Sequence, residues 1–170
     1  MAVNSLSSML PFLPMTRPSI FEFAGGEAAF LRLAAAHHER CLQDPELSHA
    51  FSHGVNSEHV ERLAAYWAEV FGGPTRYSEA HGGHSAMLGV HAGEGTGEGW
   101  DDRFVACFVQ AADDAGLPDE PEFRAVLRAY MEWAARDVVS YAPPGSRVAA
   151  GLRVPRWSWD GPEPLPDPGS

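Results

Sequence analysis

A helical stripe that runs into Gly-Gly-Pro limits what this 170-residue chain can become more than any other feature. His59, Leu63, Tyr66, Trp67 and Val70 recur at i, i+4, i+7, i+8 and i+11, the spacing of one helix face. Phe71-Gly72-Gly73-Pro74 then stops the helix, because glycine accepts the left-handed conformation at a helix end and proline cannot continue the ladder. Thr75-Arg76-Tyr77-Ser78 follows, then His81-Gly82-Gly83-His84-Ser85-Ala86-Met87 and, four residues on, His91. If residues 85–91 are helical, Met87 and His91 share a face. An imidazole held on such a short, rigid turn can be a metal ligand. All eight histidines lie between His37 and His91, a clustering that favours a site. Taken singly, each is also explicable as a packed or surface residue.

The flanking segments repeat the same period. Ile20 to Phe23 is a short apolar helix closed by the Gly25-Gly26 turn. Phe30, Leu31, Leu33, Ala34, His37, His38 and Cys41 stripe a second helix, and Asp44-Pro45 opens a short third one that ends near Phe51. Asn56-Ser57 is expected to cap the helix of the opening stripe. Trp100, Phe104, Cys107, Phe108 and Ala111 mark another helix. Asp119-Glu120-Pro121 opens the last, which runs through Phe123, Leu127, Tyr130, Ala134 and Val138 to Pro143-Pro144. No alternating strand pattern and no internal repeat occurs, so the class is all-α. The reading divides the chain into a flexible extension (1–19), a helical domain (20–142) and a Pro/Gly-rich tail (143–170) that Trp157 and Trp159 pin only in part.

Charge excludes some functions. The formal net charge is −11, with every basic residue an arginine, so the surface repels phosphate backbones and anionic lipid, and nucleic-acid or membrane binding is not expected. Cys41 and Cys107 lie in helical patterns, as free thiols of a reducing compartment do. The first 19 residues lack a basic leader and their apolar run is broken twice by proline, so a cytoplasmic location is expected.

Four features together resemble one family: Gly25-Gly26 before the second helix; Phe51 after Asp44-Pro45; Phe71-Gly72-Gly73-Pro74 followed by Tyr77-Ser78-Glu79; and Gly83-His84 seven residues before His91. The pattern, from about Phe21 to Tyr141, is similar to the truncated haemoglobins, a two-over-two helical sandwich, and most like their group II. That resemblance implies haem b, with His91 as the proximal iron ligand. It implies that Phe51 packs on the haem face and that His59 and Leu63 face the iron from the distal helix. His38 stands where the family carries a tyrosine that bonds to bound oxygen, and Phe104 where group II carries a tryptophan. Tyr77, His84 and Arg76 fall where the haem propionates are met. Leu63, Tyr66, Met87, Phe104 and Phe108 are the apolar contacts available to a porphyrin.

The function implied is binding of oxygen or nitric oxide, with peroxide as a further ligand and peroxidase or nitric oxide dioxygenase chemistry as an addition. An electron donor that the sequence does not name would then be required, and the chain would be a monomer or homodimer. His59 and His38 are the distal groups that would donate to a ligand or move a proton, while His37 is read as facing solvent. Two other functions compete: a haem enzyme with a distal pocket reshaped for a substrate or oxidant, and a non-haem metal or interaction module on the same fold.

Overall fold

The computed structural model describes residues 16–52, 54 and 57–164. The expected cap residue Asn56, His53 (expected at the surface) and most of the N-terminal extension lie outside the described residues.

Among the described residues, seven α-helices follow in order: α1 (Ile20–Ala24), α2 (Glu27–Gln43), α3 (His59–Val70), α4 (Arg76–His81), α5 (Gly83–Gly89), α6 (Trp100–Asp114) and α7 (Pro121–Ser140). Asp44-Pro45 does not open an α-helix. Asp44 Oδ1 accepts from the amides of Glu46 and Leu47, and the chain then makes a 3-10 turn over Ser48–Phe51. Local chemistry starts the helices elsewhere. Ser19 and Glu22 form a capping box at α1, and the Glu120 carboxylate accepts from two amides in the first turn of α7, where Pro121 stands.

The layers are α2 with α3 and α6 with α7, joined where α2 also packs on α6. Phe30 and Leu33 meet Trp67, Val70 and Phe71 of the α3 region, then Phe108, Phe123, Leu127 and Tyr130, and all of these are buried. The two glycines after Phe71 do different work. Gly72 has φ +96°, and a Cβ on Gly73 would come within 2.7 Å of the Ala68 carbonyl oxygen and 2.8 Å of the Phe21 ring. This close passage seats α1 on the end of α3, where the Phe21 amide bonds to the Phe71 carbonyl at 2.9 Å.

The tail departs most from expectation. Described residues 143–164 run back over the body, with Val154 and Trp157 buried and a two-residue hairpin pairing Trp157–Ser158 with Gly161–Pro162. Trp157 packs on Tyr130 at 5.6 Å between ring centroids. Trp159 sits edge-on to Phe23 at 5.0 Å, with Arg17 3.3 Å above its ring, and Arg17 is also paired with Glu122. Residues 16–19 are thus held too, through aromatic and ionic contacts more than 100 residues apart in sequence.

Candidate functional site

Two left-handed glycines, Gly82 (φ +89°) and Gly83 (φ +73°), end α4 and redirect the chain into α5. α5 stops at Gly89, so His91 lies in the turn just past it rather than within the helix. Its amide bonds to the Leu88 carbonyl at 3.0 Å, a tightened last turn of the kind helix ends adopt. The His91 side chain is half-buried, and burial, followed by the charge His59 would carry, lowers its pKa to about 4. At neutral pH it is a neutral imidazole.

The chain's far end holds this segment. The His84 amide donates to the Leu152 carbonyl at 3.0 Å, Ser85 Oγ to Ala149 O at 2.7 Å, and the Leu152 amide returns a bond to Ser85 Oγ at 2.8 Å. Beyond His91, the amides of Gly93 and Gly95 donate to the carbonyls of Tyr141 and Ala142. The glycine- and glutamate-rich loop from Gly93 to Gly99 is therefore anchored at its start, though Glu94 to Glu98 are exposed.

A second histidine cluster forms where α2, the 3-10 turn and α3 meet. The rings of His38 and Phe51 are 5.0 Å apart, those of His38 and His59 5.0 Å, and those of Phe51 and His59 5.6 Å. Burial lowers the pKa of both His38 and His59, and for His59 the charge of His38 adds to the effect. His38 Nδ1 is buried without a hydrogen-bond partner. Its neighbour His37, expected at the surface, is only 2% exposed, wedged against Trp67, Phe104 and Phe108. Burial drives its pKa down to about 3. Successive helix residues point about 100° apart; here the first of the pair faces the core and the second faces Phe51 and His59.

The remaining expected contacts divide into two groups. Leu63, Met87 and Phe104 are half-buried apolar side chains, packed at the edge of the core but not sealed in it, and Phe51 is half-buried against His38 and His59. Tyr66, Tyr77, His84 and Phe108 are inside it. His84 was expected at a carboxylate of the cofactor, but both of its ring nitrogens are engaged within the protein: Nδ1 with Tyr66 Oη at 2.7 Å, and Nε2 with Asp137 Oδ2 at 3.0 Å. Tyr77 packs edge-on against Tyr66. Arg76, expected beside it, is paired with Glu27 at the start of α2. Two residues escaped the sequence reading. Asp137 lies seven positions after Tyr130 on the inner stripe of α7, and a carboxylate on that stripe was the available signal. Glu69 is 4% exposed and accepts from the Ser78 amide at 2.9 Å and from its hydroxyl, tying α4 to α3.

Among the described residues, no group of three or more His, Cys, Asp or Glu side chains converges as a metal cage. The non-haem metal alternative therefore gains no support, whereas iron in a porphyrin needs only one or two protein ligands. Hollows of about 340 and 430 Å³ lie between α6 and α7, lined by residues such as Val109, Arg124 and Arg128, and no histidine borders them. The residues present fit a haem: a neutral imidazole at His91, a half-buried apolar set, and a buried ring nitrogen on His38 with no partner from the protein.

A family model described as bacterial-like globin matches residues 19–136. Among solved structures, the haemoglobin of the thermophilic phototroph Chloroflexus aurantiacus is 32% identical, with TM-score 0.63, over 72% of this chain and 98% of that one. The truncated oxygen-avid haemoglobin of Bacillus subtilis is 26% identical, with TM-score 0.60, over 72% and 99%. The group II truncated haemoglobin of Bacillus anthracis, 23% identical with TM-score 0.63 over 76% and 95%, supports the fold. Comparison with curated proteins gave no significant match. No helix among the described residues is long and apolar enough to cross a membrane.

Proposed function

This chain belongs to the bacterial-like globin family, and we propose that it binds haem b through His91 and takes oxygen or nitric oxide on the side of His59 and His38. One arrangement carries the reading: a neutral, half-buried imidazole just past α5, within reach of the charge of His59, which itself packs against His38 and Phe51. A haem supplies an iron atom with one coordination position for the protein and one for a small ligand.

The chain's own groups would then act as follows. His91 stays unprotonated at neutral pH and so presents a lone pair. Leu63, Met87, Phe51 and Phe104 offer apolar surface to the flat faces of the ring. His59 donates an N–H to the negative end of a polarised diatomic ligand. One such charge-assisted bond contributes about 1.5–3 kcal/mol, which slows ligand loss roughly ten- to a hundredfold. His38, with Nδ1 unpartnered, stands behind His59 as a second donor or proton carrier.

That second histidine favours one other reading, an enzyme consuming peroxide or nitric oxide, because paired imidazoles of lowered pKa can pass a proton. His59→Ala separates the two. A binding protein loses ligand about ten- to a hundredfold faster in this variant, with no change in a slow turnover. An enzyme loses turnover with peroxide or nitric oxide. Unchanged ligand loss and unchanged turnover would remove His59 from the site.

A further inference from the structure

The interior holds a polar triad for which ligand binding has no use. Tyr66, 3% exposed, and His84, 7% exposed, are hydrogen-bonded at 2.7 Å, and His84 is bonded in turn to Asp137 at 3.0 Å. The protons can be assigned. A carboxylate only accepts, so Nε2 of a neutral His84 carries the hydrogen toward Asp137, leaving the Nδ1 lone pair to take the Tyr66 O–H. A buried tyrosine needs some partner, and a backbone carbonyl would satisfy it. Here the partner is a base, backed by a carboxylate that would balance the imidazolium formed if the phenolic proton moved across.

The rings add a path for charge. The His84 ring is near-parallel to Tyr66, at 6.2 Å and 16°, and to Trp133, at 6.3 Å and 22°. Trp133 is half-buried and lies 6.1 Å from Trp157. Oxidisable side chains thus run from the inner stripe of α3, one turn from Leu63, to the surface of α7.

We infer that Tyr66, His84 and Asp137 form a one-electron redox site in which Tyr66 loses an electron to an oxidant while its phenolic proton moves to His84 Nδ1. The product is a neutral tyrosyl radical beside an imidazolium–carboxylate pair. Reduction returns one electron from a small reductant such as a thiolate, which becomes a thiyl radical, by way of Trp133, and the proton on His84 moves back to the phenolic oxygen. The oxidant class is a peroxide activated in the adjoining site. That source rests on the haem reading; the redox chemistry of the triad does not.

The test uses the full-length protein as purified, with a flash-generated ruthenium(III) polypyridyl oxidant, following the tyrosyl radical by transient absorption and by EPR of frozen samples. Wild type should give a tyrosyl signal that Tyr66→Phe abolishes. Replacing the base by His84→Gln should slow its formation roughly a hundredfold, the scale of a positioned proton acceptor. Asp137→Asn, which alters a partly exposed side chain and keeps a hydrogen-bonding group, should slow it by a smaller factor. It also serves if His84→Gln fails to fold by circular dichroism. The same tyrosyl signal in Tyr66→Phe, or wild-type formation rates in Asp137→Asn, would overturn the inference by leaving the triad a packing network. A second arm adds peroxide to haem-loaded protein. A radical in the flash arm but none with peroxide contradicts the assigned oxidant and leaves the site standing; a radical in both supports the whole scheme.

Discussion

Around His91 the chain is tied down by carbonyls and amides from its own far end, whereas around His38 and His59 it is held by ring edges. The proximal segment meets Leu152 and Ala149 before the histidine, and Tyr141 and Ala142 after it. The distal pair meets Phe51 and each other, and a buried ring nitrogen of His38 is left without a partner. Hydrogen bonds fix position and direction; aromatic contacts of about 5 Å fix proximity but tolerate rotation. Under the proposed function, this difference matches a group held fast on the His91 side and an exchangeable ligand on the other.

The comparison breaks first at Gly83. A Cβ there would stand 2.9 Å from the Leu152 carbonyl oxygen at φ +73°, so Gly83→Ala should cost about 2–4 kcal/mol in urea unfolding. In Gly89→Ala, where a Cβ meets nothing and the residue is helical, stability should hold or rise by about 0.5 kcal/mol. Equal losses at both positions would show that the tail contact exerts no special grip on α5.

The core face of α2, behind the His38–His59 cluster, is tested by acid. His37 has its pKa lowered from 6.5 to about 3 by burial. Between those values the unfolded chain binds more protons than the folded one, so stability is full above pH 6.5 and is lost as pH falls toward 3. Linkage puts the loss at about 2–3 kcal/mol two pH units below 6.5. His37→Leu should flatten that part of the acid limb in denaturant titrations at stepped pH, and an unchanged slope would mean that the imidazole is solvated.

A smaller effect sharpens the proximal side. Ser85→Ala removes both bonds of its hydroxyl to the tail and should cost about 1–2 kcal/mol. The same change should raise amide exchange at Leu152 and leave the His38–His59 cluster unaffected. Faster exchange throughout the protein would mean that the tail contact is not local.

What could be read from the residue order was mostly local. The stripe from His59 to Val70, the Gly-Gly-Pro stop and the helix start at Asp119-Glu120-Pro121 each depend on neighbours within a few positions, and each stands in the structure. What could not be read was distant. Nothing near His84 announces Asp137, 53 residues on, as the partner of its ring. The burial of Trp157 depends on Tyr130 and Trp133 in another element, so a proline-rich tail read as irregular proved to be packed. Which of His37 and His38 faces inward is a matter of helix rotation, and rotation is set by Trp67 and Phe108 rather than by the pair itself. Arg76 illustrates the same limit: its position suggested an anionic ligand, and its partner is the carboxylate of Glu27.

The central claim is that His91 binds the iron of a haem. Protein produced with haem precursor should show a Soret band. His91→Gly should lose the haem or shift the band, and free imidazole should restore the wild-type spectrum by filling the space left by the side chain. Unchanged haem content and an unchanged spectrum in His91→Gly, with no response to imidazole, would contradict the claim.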